Sequence, residues 1–230
     1  MKRIIFSIFV ILSAMVFSVS AQTAAQKAFE KGMISASGGK FETALSEFQT
    51  SLAYEKNSAA VNEFLAKIHF NIGVCFYKLK RSTEAVGEYE LAVKLSKNNY
   101  EKAFYALGMA QAELKNWDQS EAAFRGAIRL NKQNGEAWFD LAFVYLAQEN
   151  YDSAQTAFQK SIELKSIDSS ISHNNLGVIL ALGGDFDAAV REFETALKQS
   201  NGKLSVAERN LQFCKTSGQN LTAKLEFGKN

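Results

Sequence analysis

The sequence predicts an all-α fold assembled from stacked helical hairpins, and three observations carry that reading. The 230 residues contain no proline, which helix interiors exclude. Apolar residues recur at i, i+3, i+4 and i+7, one face of a helix, as in Trp138, Leu141, Ala142 and Tyr145. That pattern returns every 34 or 35 residues along most of the chain.

Residues 1–21 stand outside the repeat. Lys2 and Arg3 precede the apolar run 4–19, and Val19-Ser20-Ala21 offers small residues for cleavage. This reads as a secretory signal peptide cut after Ala21. An uncleaved anchor is the alternative, but the run of 16 residues is shorter than the roughly 20 that a spanning helix needs. Membrane contact is expected only through this segment, if it is kept. No cysteine follows the run to carry a lipid.

The rest, 22–216, divides into five hairpins at about 25–58, 59–99, 101–134, 135–168 and 170–203. In the first helix of each later hairpin, His69, Phe104, Trp138 and His173 fall in one slot, and Gly73, Gly108, Ala142 and Gly177 four residues on. In the second helix, Tyr89, Phe124, Phe158 and Phe193 share a slot, each preceded at i−4 by Ala85, Ser120, Ala154 or Ala189. Trp117, Tyr151 and Phe186 recur at the turn. The first hairpin is a weaker copy with Gly32, Phe41, Ala44 and Phe48. The step from Phe48 to Tyr89 is longer, and 59–65, which contains no breaker, reads as extra turns on the next helix. Residues 204–215 form a capping helix with Val206, Leu211 and Phe213 among polar neighbours. The tail, 217–230, is expected to be flexible, with docking of Leu221, Leu225 and Phe227 onto the repeats as the alternative.

These residues resemble the tetratricopeptide repeat, a helix–turn–helix unit of 34 residues. The matching features are a small residue after Leu or Ile (Ile72-Gly73, Leu107-Gly108, Leu141-Ala142, Leu176-Gly177). They continue with the series Ala154, Phe158, Ser161 and Ala189, Phe193, Ala196. The proline that usually closes each repeat is replaced, for example by Lys97, Lys132 and Ser166. The resemblance implies a right-handed superhelical solenoid. A hairpin of this size cannot bury its apolar faces alone, so neighbours stack to share a core.

Little in the chain points to chemistry. His69 and His173 are three hairpins apart and read as large packing residues in the slot of Trp138. Cys75 and Cys214 are separated by several hairpins, so each is expected to be a small buried hydrophobe and not a disulfide partner. There is no glycine-rich phosphate loop and no His/Cys cluster with ligand spacing. The pairs Gly38-Gly39 and Gly183-Gly184 fall at turns, and Asp185 and Asp187 are placed to cap a helix. No catalytic residue, metal or cofactor is expected. Without Lys2 and Arg3 the chain carries 24 basic and 24 acidic residues, which gives no electrostatic case for nucleic acid.

What remains is a surplus of apolar residues. Phe139, Phe143 and Leu146 form a second stripe on the Trp138 helix, turned about 100° from the first. A helix apolar on two faces needs two apolar neighbours. Equivalent slots hold Phe29, Met33 and Ala36; Phe70, Val74 and Tyr77; Tyr105, Met109 and Ala112; and Asn174, Val178 and Ala181. The resemblance implies that these slots line a concave, peptide-binding face; packing on the next hairpin is the other reading. Of the Lys/Asn/Arg clamp by which some members of that family hold a C-terminal carboxylate, only Lys67, Asn71 and Lys102 remain, and Asp140 fills another of the corresponding slots, so a receptor for chaperone tails is not expected. The expected groove is therefore Lys67, Phe70, Asn71, Val74, Tyr77, Lys102, Tyr105, Met109, Phe139, Asp140, Phe143 and Leu146. Its expected ligand is an apolar or amphipathic protein segment. The expected function is a non-enzymatic scaffold exported to a bacterial periplasm for envelope assembly. A self-associating subunit of an envelope or membrane complex is the alternative, and a homo-oligomer is compatible with either.

Overall fold

The computed structural model describes residues 24–55, 62–165, 169–217 and 225–228. The leader expected over 1–21 and the start of the insertion before α3 lie outside them. Among the described residues there are eleven helices and no strand. The chain divides into two compact units at the junction of Lys115 and Asn116.

The first unit holds α1 (24–37), α2 (Phe41–Glu55), α3 (Asn62–Lys78), α4 (Ser82–Leu95) and α5 (Glu101–Glu113). From α2 onward each helix packs on the next, and α3 also touches α5. Helix α3 has 17 residues against 14 in α4 and 13 in α5, and its first turn, 62–65, is the described part of the insertion. The core is closed by Phe48, Ile68, Ile72, Cys75, Phe76 and Tyr89. Two rings of this core lie flat on glycines. A β-carbon on Gly73 would stand 2.7 Å from the Tyr89 ring, so only a bare α-carbon lets α3 and α4 approach so closely.

The second unit holds α6 (Trp117–Leu130), α7 (Gly135–Ala147), α8 (Tyr151–Glu163), α9 (Ser169–Leu182), α10 (Phe186–Gln199) and α11 (Ser205–Ser217). Successive helices pack in order, and α11 reaches back to α9. One part of the core contains Phe139, Leu141, Val144 and Phe158, all within 1% of complete burial. The other contains Val178, Ala181, Ala189, Phe193 and Cys214. Helix α9 is unusual in burying ten of its fourteen residues, including Asn174 and Asn175. A helix buried on nearly every side must be covered by more than its hairpin partner.

The hairpin turns repeat as the helices do. Each contains one residue with a left-handed backbone: Gly39, Lys80, Lys115, Glu149 and Gly184, with φ between 59° and 88°. The next amide then returns to a carbonyl five residues back, as from Arg81 to Phe76 (2.9 Å) and from Asp185 to Leu180 (2.9 Å). This closes the helix end by satisfying carbonyls that would otherwise face no donor. Asn150 and Asp185 then cap the following helices, accepting from the amides of Ser153 (3.2 Å) and Ala188 (3.0 Å). Asp187 sits in the first turn of α10, where its charge suits the helix dipole.

Candidate peptide-binding faces

In the first unit the second stripe runs along α1, α3 and α5. Phe29 and Phe64 stack edge to face at 5.5 Å, which places α1 beside α3. Phe70 is half-buried, with its ring 5.9 Å from Tyr89 and 5.1 Å from Tyr100. Val74 and Tyr77 rest on the core from outside, and Tyr105 and Met109 are half-buried on α5. Met33, on α1, is 44% exposed. The three polar residues of the expected groove are placed separately. Lys67 pairs within its own helix with Glu63 (2.9 Å), and Asn71 donates to the Lys67 carbonyl (2.7 Å). Lys102 is exposed. Lys67 instead borders a cleft of about 690 Å³ with Leu95, Ser96 and Tyr100.

In the second unit the stripe on α7 is split, and the expected groove loses a member. Phe139 is 1% exposed and meets Phe158 of α8 at 6.1 Å, so it is a core residue. Phe143 stays half-buried, edge to face with Phe139 (5.0 Å) and Phe158 (5.5 Å). Asp140 and Leu146 are also half-buried. Trp138, expected in the core, is half-buried instead. It lines a cleft of about 610 Å³ with Tyr145, Arg125, Arg129 and Lys132.

The stripe of α9 is not open at all. Asn174, Val178 and Ala181 are 0%, 1% and 3% exposed. They are covered by α11 and by residues 225–228 of the tail, which dock instead of hanging free. Leu225 and Phe227 pack on the Val178–Phe193–Cys214 core. Asn210 of α11 accepts from the Glu226 amide (3.0 Å) and donates to the Glu226 carbonyl (2.8 Å). Asn175 does the same for Gly228, accepting at 2.6 Å and donating at 3.0 Å. Asn174 links the two, accepting from Asn210 (2.9 Å) and donating to Asn175 (3.1 Å) and to the Glu226 carbonyl (3.3 Å). Sequence reasoning placed Asn174 in the stripe but missed its role. The available signal was a pair of asparagines inside an otherwise apolar helix, where asparagine is a poor helix former.

The reactive residue types are absorbed by packing. His69 and His173 each bond through Nδ1 to a glutamate of the paired helix, Glu88 and Glu192, both at 2.6 Å. Both cysteines are free and buried, and burial pushes the Cys75 thiol up to about 11. Burial raises Cys214, Tyr89 and Tyr100 as well. Among the described residues no group of three His, Cys, Asp or Glu side chains could hold a metal. No helix among them is long and apolar enough to cross a membrane.

Helix–turn–helix units of this length, with small residues under aromatic rings, define a repeat scaffold for protein–protein interaction. Tetratricopeptide repeat profiles match residues 29–100, 101–134 and 133–202, and the chain belongs to the tetratricopeptide repeat family. It is similar to anaphase-promoting complex subunit 3 of Schizosaccharomyces pombe, 26% identical over 163 residues that make up 69% of this chain and 24% of that protein. It is also similar to the Hsp70-Hsp90 organising protein of Plasmodium falciparum, 27% identical over 54% of this chain and 28% of that one. The chain thus spans about a quarter of the length of these relatives. Among solved structures, a crystal structure of MamA superposes with a TM-score of 0.69 at 21% identity, covering 79% of this chain and 94% of that one. YrrB, described as a TPR protein with an unusual peptide-binding site, superposes at 0.67 with 19% identity, covering 79% and 88%. At such identities the superpositions establish the fold.

Proposed function

We propose that this chain is a non-enzymatic scaffold that holds an apolar or amphipathic segment of a partner protein on the first-helix faces of its hairpins. The observation that carries this is the row left on α1, α3 and α5 once the core is closed. Met33 is 44% exposed, and Phe70, Tyr77, Tyr105 and Met109 are half-buried beside a core that other residues already fill. Aromatic and methionine side chains are effective anchors because they bury large area at little conformational cost. The peptide-binding site described for YrrB and the name of the organising protein support the same kind of use. The basic and apolar stretch at 2–19 supports work outside the cytoplasm, in the envelope of a bacterium, with assembly of that envelope as the process served.

The test is site-specific capture. A photo-crosslinking residue replaces Met33, the protein is expressed in its own host, and adducts are identified by mass. A discrete heterologous adduct that disappears with Met109→Glu, while the melting curve stays nearly unchanged, is the expected result. Adducts between copies alone would favour a self-associating subunit, and no adduct with Met33 accessible to solvent would remove the face from consideration.

A further inference from the structure

Residues 225–228 are held as a peptide ligand is held. A primary amide carries one acceptor and one donor group, so it can pair with both the N–H and the C=O of a single residue. Asn210 does this to Glu226 and Asn175 to Gly228, and the Asn174 amide ties the two together. The paired residues alternate, which is what an extended chain presents along one edge. Leu225 and Phe227, which alternate with the paired residues, put their side chains on the apolar core. Asn174, Asn175 and Asn210 are 0%, 0% and 1% exposed. Burying three amides is costly unless their bonds are made, and here the tail backbone makes them.

The contacts also define selectivity. The amides read only backbone, so they accept any sequence, while the apolar core selects residues 225 and 227. Position 228 is restricted by space: a β-carbon on Gly228 would stand 3.3 Å from Asn174 Nδ2 and 3.4 Å from both Asn175 Oδ1 and Ile171 Cγ2. Glu226 points outward to Arg209 (2.7 Å), with both side chains 57% exposed, a pair that contributes little. The site therefore fits the pattern apolar–any–apolar–glycine. The tail is tethered through the few residues after α11, and a short tether holds a segment at an effective concentration of about millimolar. A weak ligand would stay bound at that concentration.

We propose that α9 and α11 form a backbone-reading site for an extended partner segment of the pattern apolar–any–apolar–glycine, with the chain's own C-terminal segment as its resident, displaceable occupant. This goes beyond the aromatic faces of α1, α3 and α5 and does not depend on them. Its failure would leave the Met33 capture result standing, and the reverse also holds.

The probe is a fluorescein-labelled synthetic peptide of residues 223–229, titrated by anisotropy into three full-length proteins. Wild type should bind it weakly. A variant with Leu225→Ser and Phe227→Ser, which empties the site, should bind at least tenfold tighter. Adding Asn210→Ala to that variant should lose at least tenfold again. Changes in the peptide leave protein folding untouched, so peptides with Phe227→Ser or Gly228→Val provide the control and should each lose at least tenfold. Equal binding to wild type and the emptied variant, or indifference to the peptide changes, would overturn the proposal. So would a wild-type dimer in light scattering that dissociates with Leu225→Ser and Phe227→Ser, because the tail would then belong in a second copy.

Discussion

His173 Nδ1 and Glu192 Oε2 stand 2.6 Å apart between α9 and α10, and His69 and Glu88 repeat the pair between α3 and α4 at the same distance. The corresponding residues of α7 and α8 are Trp138 and Ala157, a larger ring and a methyl. One slot of the repeat is thus filled either by a hydrogen-bonded pair or by a bulky and a small residue. Removing one partner alone should cost more than exchanging both. His173→Ala leaves the half-buried Glu192 carboxylate without its bond and should lose about 1–3 kcal/mol. The double change His173→Trp with Glu192→Ala should recover most of that loss, as read from urea midpoints.

The bare α-carbons under the aromatic rings give a second expectation. A β-carbon on Gly177 would lie 2.7 Å from Phe193 Cε1, and Phe193 is fully buried. Gly177→Ala should gain about 1 kcal/mol of helix propensity. Displacing a packed ring costs about 1–3 kcal/mol, so the net change should be destabilising. Thermal melting should show a lowered midpoint for Gly177→Ala and partial recovery when Phe193→Leu is added. A raised midpoint for Gly177→Ala alone would mean that α9 and α10 are not held together by this approach.

Stability should also fall at alkaline pH. Burial raises the Cys75 thiol from its ordinary 9.0 to about 11, so the unfolded chain releases that proton first. The contribution is intact below about pH 9 and is lost as pH rises towards 11, at no more than about 1.4 kcal/mol per pH unit. Urea midpoints between pH 8 and pH 10.5 should decline less steeply for Cys75→Ala than for wild type, whatever the offset caused by the cavity. Parallel slopes would contradict the expectation.

The hairpins were legible because their signal is local and repeated. The expected cap at 204–215 is α11 at Ser205–Ser217, and Trp117, Tyr151 and Phe186 each open a second helix. The division of labour between two stripes on one helix was much less legible. Phe139 and Phe143 are one turn apart and equally apolar, and Phe158 of α8 meets both rings, at 6.1 and 5.5 Å, yet only the first is fully buried. The tail site was least legible of all. Its bonds run from side chains to backbone atoms, and a backbone carbonyl leaves no mark on the sequence.

The asparagines of α9 find their partners 52 and 53 residues later, at Glu226 and Gly228. Those partners lie beyond the repeats, so the last hairpin and its cap cannot fully satisfy their buried amides with side chains of their own. Burial of α9 is complete only once a segment some fifty residues downstream has turned back onto it, so the packing of this helix waits on residues that no hairpin contains.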